Sequence, residues 1–162
     1  MRLPIFFLVA VTVVACSQSS KEEQPRVAPQ NHGDKLMTGW YFIVDSSAFK
    51  RTLEHDTVSF YIDPAPIVVA NDIDYMTVFE DNYGGYGLGM SLNENVWSIW
   101  EKATAKASEN RDKIAFIIKD RLVYAPTVNG PVPNGSTALN SGNDSREKLD
   151  AIMREIQKEI QK

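Results

Sequence analysis

The apolar run from Ile114 to Ile118 constrains the fold more than any other stretch of this chain. An uninterrupted apolar run has no polar face, so it predicts a strand that is buried on both faces and lies inside a sheet. Lys119-Asp120 is then a hairpin turn, and the residues after it predict a second strand from Leu122 to Ala125. Pro126 ends that strand because proline has no backbone N–H to donate.

Two helices follow from apolar residues at helical spacing. Asn93 is placed to cap a helix that continues to about Ala107. Asp144 and Glu147 form a capping-box pattern in front of the last helix. The apolar stripe of that helix consists of Leu149, Ile152, Met153, Ile156 and Ile160.

The remaining segments complete the predicted element order. Aromatic and β-branched residues predict strands at Gly39–Val44 and Val58–Ile62. The prolines that follow break the second strand, and Ile67–Val69 is the stretch that could resume it. Asn71 favours a short helix from Asp72 to about Phe79. Gly87–Leu92 alternates as a half-buried strand, and the loop 127–143 contains a short strand near Ala138. The order β-β-α-β-α-β-β-α predicts an α+β fold, with helices packed on an antiparallel sheet.

The second half of the chain resembles the head part of the first periplasmic domain of SecD/SecF, accessory subunits of the protein-export translocon. That family has a helix with an aromatic residue four positions before a threonine, then Asn-x-Gly-Lys, a strand, an Asp-Gly turn, a strand ending Ala-Pro and a glycine-spaced loop. The matching residues here are Trp100, Thr104, Asn110, Lys113, Ala125, Pro126, Gly135 and Gly142. The resemblance covers about residues 61–160 and implies an α+β head fold with a role near protein export.

The chain departs from the family pattern at two turns. Asp112 stands where the family has the glycine of Asn-x-Gly-Lys, and Lys119-Asp120 stands in place of Asp-Gly. Because glycine adopts left-handed backbone conformations most readily, we expect both turns to differ from those of the family.

The first sixteen residues predict a bacterial lipoprotein signal. Arg2 precedes the apolar run Ile5–Ala15, which is shorter than the ~20 residues that a membrane-spanning helix requires. Cleavage is expected between Ala15 and Cys16, with a diacylglycerol and an N-acyl lipid on Cys16. The alternatives are an ordinary signal peptide with an incidental cysteine and an uncleaved membrane anchor. We expect a lipid-anchored protein of the cell envelope, on the outer membrane facing the periplasm. Lys21-Glu22-Glu23 resembles the surface-export signals of some bacterial lipoproteins, so the cell surface is the alternative location.

Composition divides the chain and restricts its partners. Residues 16–34 are polar and predict a flexible tether, and residues 35–162 predict one domain. The net charge of −4 becomes one unit more negative once Arg2 is removed with the signal, and an acidic chain is a poor partner for nucleic acid.

No motif in the sequence indicates catalysis, metal binding or a small-molecule cofactor. The glycines from Gly84 to Gly89 lack the spacing and the following helix of a dinucleotide loop. Asp72, Asp74, Glu80 and Asp81 lack the ligand order of a calcium loop. Neither His32 nor His55 has a second ligand at zinc spacing. We therefore expect a protein that is not an enzyme.

The candidate partner surface centres on the strand Gly87–Leu92. Gly87 and Gly89 lie on the face opposite the core and are expected to expose bare backbone to another strand. The other candidate residues are Tyr86, Trp97, Asn134 and Gly135, and the neighbouring loop 128–142 is expected to contact the same partner. The expected partner is a polypeptide or an envelope protein; an enzyme or enzyme inhibitor on the same fold, or a purely structural lipoprotein, are the alternatives.

Overall fold

The computed structural model describes residues 33–161. The predicted signal, the lipid site at Cys16 and nearly all of the tether therefore lie outside the described residues. Within the described part, eight strands and two α-helices form. They are β1 Gly39–Val44, β2 Lys50–Thr52, β3 Ser59–Val69, β4 Ile73–Glu80, β5 Tyr86–Leu92, α1 Trp97–Glu109, β6 Ile114–Ile118, β7 Arg121–Tyr124, β8 Ser136–Leu139 and α2 Arg146–Ile160. No helix of this part is long and apolar enough to cross a membrane.

The strands form two sheets. The larger is five-stranded, in the order β2-β3-β1-β6-β7, and the smaller is three-stranded, in the order β4-β5-β8. A parallel bridge between Leu53 and Leu122 brings the two edges of the larger sheet together at one end, and the Glu54 N–H donates to the Leu122 carbonyl at 2.9 Å. The larger sheet thus curls towards a closed barrel.

Each face of the larger sheet covers its own core. Ala115 and Ile117 of β6 point into the smaller core, together with Tyr41 and Leu122. The alternate residues of β6, Ile114, Phe116 and Ile118, enter the main core. This core also contains residues of both helices and of the inner face of the smaller sheet. All of β6 is buried. The prediction of an interior strand buried on both faces is confirmed.

The α+β class is confirmed, but the predicted helix from Asp72 to Phe79 is wrong. Residues Ile73–Glu80 form β4, and only Ala70–Asp72 forms a short 3₁₀ turn. Met76 and Val78 pair with inward-facing residues of β5, whereas Tyr75, Thr77 and Phe79 face outward. Such alternation is the pattern of a strand, and pairing with β5 outweighs the local capping signal.

The predicted break after Ile62 is also wrong, because β3 continues through both prolines to Val69. Tyr41 of β1 pairs with Pro66 and Ile43 pairs with Ile62, so one intervening residue of β1 faces three of β3. Proline is tolerated in such irregular stretches because the backbone there makes no regular ladder hydrogen bonds.

Left-handed backbone occurs without glycine at both turns that depart from the family pattern. Lys119 and Asp120 have φ values of 46° and 71°. Asp120 is held there because its carboxylate accepts hydrogen bonds from the Leu36 N–H at 2.9 Å and from the Arg51 side chain. Tertiary contacts to the turn therefore stabilise a conformation that an Asp-Gly sequence would adopt more readily.

Arg111 is the left-handed residue that ends α1, with φ of 56°. The Asp112 N–H donates to the Ala107 carbonyl at 2.8 Å and the Arg111 N–H donates to the Ser108 carbonyl at 3.2 Å, the Schellman pattern that usually places glycine at this position. We expect Arg111→Gly to stabilise the domain by about 0.5–1 kcal/mol, since relief of the left-handed strain exceeds the backbone entropy that glycine loses. Urea unfolding would measure the gain, and a lower midpoint would contradict it.

Candidate functional site

The glycines of β5 support packing within the protein. Leu88, Met90 and Leu92 are buried, as their alternation predicted. On the opposite face, a Cβ atom added to Gly87 would lie 2.5 Å from Cζ of Phe79, so the missing side chain lets the Phe79 ring cover the strand. The backbone at Gly87 is therefore not exposed as the sequence suggested.

Strand addition along β5 is also ruled out. β5 is the middle strand of its sheet and pairs with β4 on one side and β8 on the other. A partner strand needs an edge with unpaired backbone groups. Any edge that accepts a strand in this sheet must belong to β4 or β8.

The six predicted surface residues form two groups at opposite ends of β5. Tyr86 and the two glycines belong to the first group, where Tyr86 pairs with Glu80 and packs on the main core. Trp97, Asn134 and Gly135 form the second. The Trp97 Nε1–H donates to the Leu92 carbonyl at 2.8 Å.

The second group fastens the start of β8. Gly135 has φ of +65°, and a Cβ atom there would lie 2.3 Å from the Trp97 ring. The Leu92 N–H donates to the Gly135 carbonyl at 2.9 Å, and Oδ1 of Asn134 accepts from the Ser136 N–H at 3.3 Å. Only glycine fits this position, because both the backbone conformation and the closeness of the indole exclude a side chain.

A groove of about 320 Å³ lies beside β8, between β8 and the chain that follows β7. Its lining is predominantly apolar and includes Trp40 and Trp100. The opposite wall is the segment Pro126–Val132, where Val128 is buried. This wall is tied to α1, because the Val132 N–H donates to the Thr104 hydroxyl at 2.9 Å, and that hydroxyl donates to the Trp100 carbonyl at 2.8 Å.

The outer edge of β8 is closed on either side of Ala138. The Ser136 carbonyl accepts from Trp100 Nε1–H at 3.2 Å, and the Asn140 carbonyl accepts from the Tyr124 hydroxyl. Because backbone groups alternate along an antiparallel strand, the N–H and C=O of Ala138 point the same way as those carbonyls, away from β5. Ala138 therefore presents one N–H and one C=O to the groove.

Trp40 lines the groove and also has an unpaired, buried donor. Its side chain is buried, and its ring centroid lies 5.6 Å from that of Trp100 and 4.8 Å from that of Phe116. The Trp40 Nε1–H has no hydrogen-bond partner among the described residues. A buried donor without a partner costs about 1–3 kcal/mol. Because this nitrogen is itself closed to solvent, it is a local cost of the packing and not an open contact point for a ligand.

The titratable groups near β8 with shifted pKa values make hydrogen bonds within the fold. Hydrogen bonds from the Tyr83 and Gly85 N–H groups lower the pKa of Asp81, which shapes the β4–β5 hairpin. Burial raises the pKa of Tyr124, whose hydroxyl closes the β8 edge. Within residues 33–161 there is no group of His, Cys, Asp or Glu side chains that could hold a metal ion.

The sequence predicted that the loop 128–142 lies at the partner surface, but it did not predict the groove. Trp40 was predicted only as a strand residue, and Val128 and Val132 were assigned to a loop rich in glycine and proline. Apolar residues within such a loop were the available signal, because a loop exposed on both sides seldom contains two valines in a short span. The walls come from β1, α1, residues 126–132 and β8, and only the last two are neighbours in sequence.

The solved structures that are similar to this one include two of SecDF. A structure of the membrane component SecDF, which enhances protein export, has a TM-score of 0.59 at 12% identity, covering 76% of this chain and 62% of that one. A structure of SecDF in a super-membrane-facing form has a TM-score of 0.54 at 13% identity, covering 72% of this chain and 18% of that one. No protein-family model and no curated protein sequence matches the chain.

The described domain therefore has an α+β fold similar to the SecD/SecF periplasmic head, as the sequence resemblance implied. At 12–13% identity the similarity concerns the fold. The chain spans 62% of the first of these SecDF chains and 18% of the second. Function must be argued from the groove and the sheet edges of this chain.

Proposed function

We propose that this protein is a lipid-anchored, non-catalytic binding module of the bacterial cell envelope that holds an extended polypeptide segment in the groove beside β8. The observation that carries the proposal is the position of Ala138, whose open N–H and C=O face an apolar groove containing two tryptophans. An extended peptide offers what this arrangement lacks: a backbone pair for Ala138 and an apolar side chain for the groove.

The size of the groove favours a short segment. About 320 Å³ is at the lower end of the range of roughly 300–1,000 Å³ that is typical of ligand pockets. With Ser136 and Asn140 already bonded on either side, one peptide residue pairs fully with the edge. Weak binding that tolerates many sequences is expected, because backbone hydrogen bonds and one apolar contact provide most of the affinity.

The predicted lipid at Cys16 would hold this groove at a membrane surface. A stable anchor requires more than one acyl chain, which the predicted diacylglycerol and N-acyl groups provide. The polar residues 17–32 would give the domain reach from the membrane. The similarity to SecDF, which enhances protein export, favours a polypeptide as the ligand.

The test is an NMR titration of the chain from Ser17 to Lys162 with unfolded peptides of varied sequence. We expect shift changes at residues 126–132 and 136–138. Ala138→Pro removes the open N–H at an edge position where proline is tolerated, and should weaken binding about three- to tenfold, the effect of one net hydrogen bond.

Ala138→Val is the matched control, because it keeps the N–H and adds a side chain on the exposed face of the sheet. It should bind peptide like the wild type. If millimolar peptide causes no shift changes, or if the proline and valine variants bind equally well, the groove is not a peptide site.

A further inference from the structure

β4 is the other edge strand of the smaller sheet, and it is longer than β8. It spans Ile73–Glu80, whereas β8 spans Ser136–Leu139. From Tyr75 to Glu80 each residue of β4 pairs with its neighbour on β5 without a register shift. The opposite side of β4 has no paired strand within the described residues.

The open backbone groups of β4 belong to alternate residues. The Asp81 N–H donates to the Gly85 carbonyl at 2.8 Å, so the odd-numbered positions face β5. By alternation, the N–H and C=O groups of Met76, Val78 and Glu80 point outward. Among residues 33–161, none of the side-chain or loop hydrogen bonds reaches these groups.

The middle of this edge has none of the features that normally prevent strand pairing. Proteins protect edges with proline, lysine, bulges or covering loops. Tyr75–Phe79 contains no proline and no charge, and its pairing with β5 is regular. Two aromatic side chains are exposed on the outer face, Tyr75 at 60% and Phe79 at 38%.

Charge at the two ends of the edge selects the kind of strand that fits. Asp74 and Glu80 are both exposed, and neither has an ion-pair partner within residues 33–161. In an antiparallel pair of two copies centred on Thr77, Asp74 of each copy would face Glu80 of the other. Like charges directly opposite one another destabilise a strand pair, so a second copy is a poor partner in the register that pairs the whole edge.

We infer that the free edge of β4 is a docking site for an extended segment of another protein, with an uncharged centre and a basic residue at each end. The two carboxylates are six residues apart, which corresponds to at most about 20 Å along a strand, because Asp74 lies at the register shift that precedes the regular stretch. A segment of matching length would pair with Met76 and Val78 and place its basic side chains against Asp74 and Glu80. This site is separate from the groove beside β8, so an experiment that contradicts one of the two proposals leaves the other unaffected.

The experiment measures binding of designed peptides to the chain from Ser17 to Lys162. The peptides match the length of Asp74–Glu80, alternate threonine and valine in the centre, and end in lysine, glutamine or glutamate. We expect the lysine-ended peptide to bind about tenfold tighter than the glutamate-ended one at low salt, because two attractive contacts replace two repulsive ones. Amide shift changes should follow β4, and added salt should reduce the preference.

The decisive variant is the double charge reversal Asp74→Lys and Glu80→Lys. Both side chains are exposed, so the fold should be kept, and the preference should invert towards the glutamate-ended peptide. Val78→Pro removes an outward N–H and should weaken the binding of all three peptides by a similar factor.

Three results would overturn the inference. The first is a charge-reversed protein whose peptide preference is unchanged, and the second is the absence of shift changes on β4 with any of the peptides. The third is concentration-dependent dimerisation in sedimentation that Val78→Pro abolishes, since a second copy would then occupy the edge.

Discussion

Ile156→Ala is expected to destabilise the domain by about 2–5 kcal/mol, a large part of the ~5–15 kcal/mol typical of a single domain. Ile156 is 0% exposed and lies in the main core with Leu149. Removing its side chain beyond Cβ loses apolar burial and leaves a cavity that surrounding strands and helices fill only in part. Urea unfolding followed by circular dichroism would measure the loss as a lower midpoint at an unchanged slope.

Ile160→Ala is the matched control on the same helix. Ile160 belongs to the predicted apolar stripe but is only partly buried, near the end of α2. The same truncation there should therefore have a much smaller effect, because less apolar surface leaves the core. Equal losses for the two variants would mean that α2 does not pack as described.

Cys16→Ser is expected to move the protein from the membrane fraction to the soluble fraction. The expectation rests on the short apolar run and on the small residues that precede Cys16. Serine has no thiol to accept the diacylglycerol, and the net negative charge of the chain does not favour binding to an anionic membrane. Fractionation of cells that express each variant, with detection of the full-length and processed forms, would measure the change.

Ser17→Ala keeps the cysteine and should remain with the membrane. Washing the membranes at high salt separates a lipid anchor from electrostatic adsorption, which salt weakens. Protease treatment of intact cells would then distinguish a periplasmic protein from one on the cell surface. A Cys16→Ser protein that stays bound after the salt wash would exclude anchoring through this residue.

Elements with a simple hydrophobic pattern were predicted well from the sequence. The interior strand β6 has apolar residues towards both cores, and α1 and α2 each have one apolar face. The inner face of β5 and the short strand β8 were predicted for the same reason. In each of these elements a single period of the hydrophobic pattern is present, so local sequence is sufficient.

β4 shows why the rest was missed. Its apolar residues are divided between a core face and a solvent face, so the outward Tyr75 and Phe79 obscure the alternation. A capping residue at Asn71 then favoured a helix. Only the pairing with β5, which contributes backbone hydrogen bonds along the whole strand, identifies it as a strand.

The candidate sites were located by contacts that the sequence does not specify. Gly87 and Gly89 were correctly placed on the outer face, but the Phe79 ring that covers Gly87 comes from the neighbouring strand. The groove beside β8 combines Trp40, Trp100 and Ala138 from three distant segments. Which edge remains open is likewise a property of the sheet order, and the sheet order cannot be obtained from any one strand.

The sequence by itself determined the α+β class, the resemblance to the SecD/SecF head and the buried faces of β5, β6 and α2. The lipid site at Cys16 stays a prediction from the sequence. The tertiary structure alone decided that there are two sheets, that β5 is closed on both sides, and that β4 and β8 are the edges. The physical reason is the range of the forces involved. Hydrophobic period and chain stiffness act over neighbouring residues, whereas strand order and groove walls depend on contacts between residues far apart in the chain.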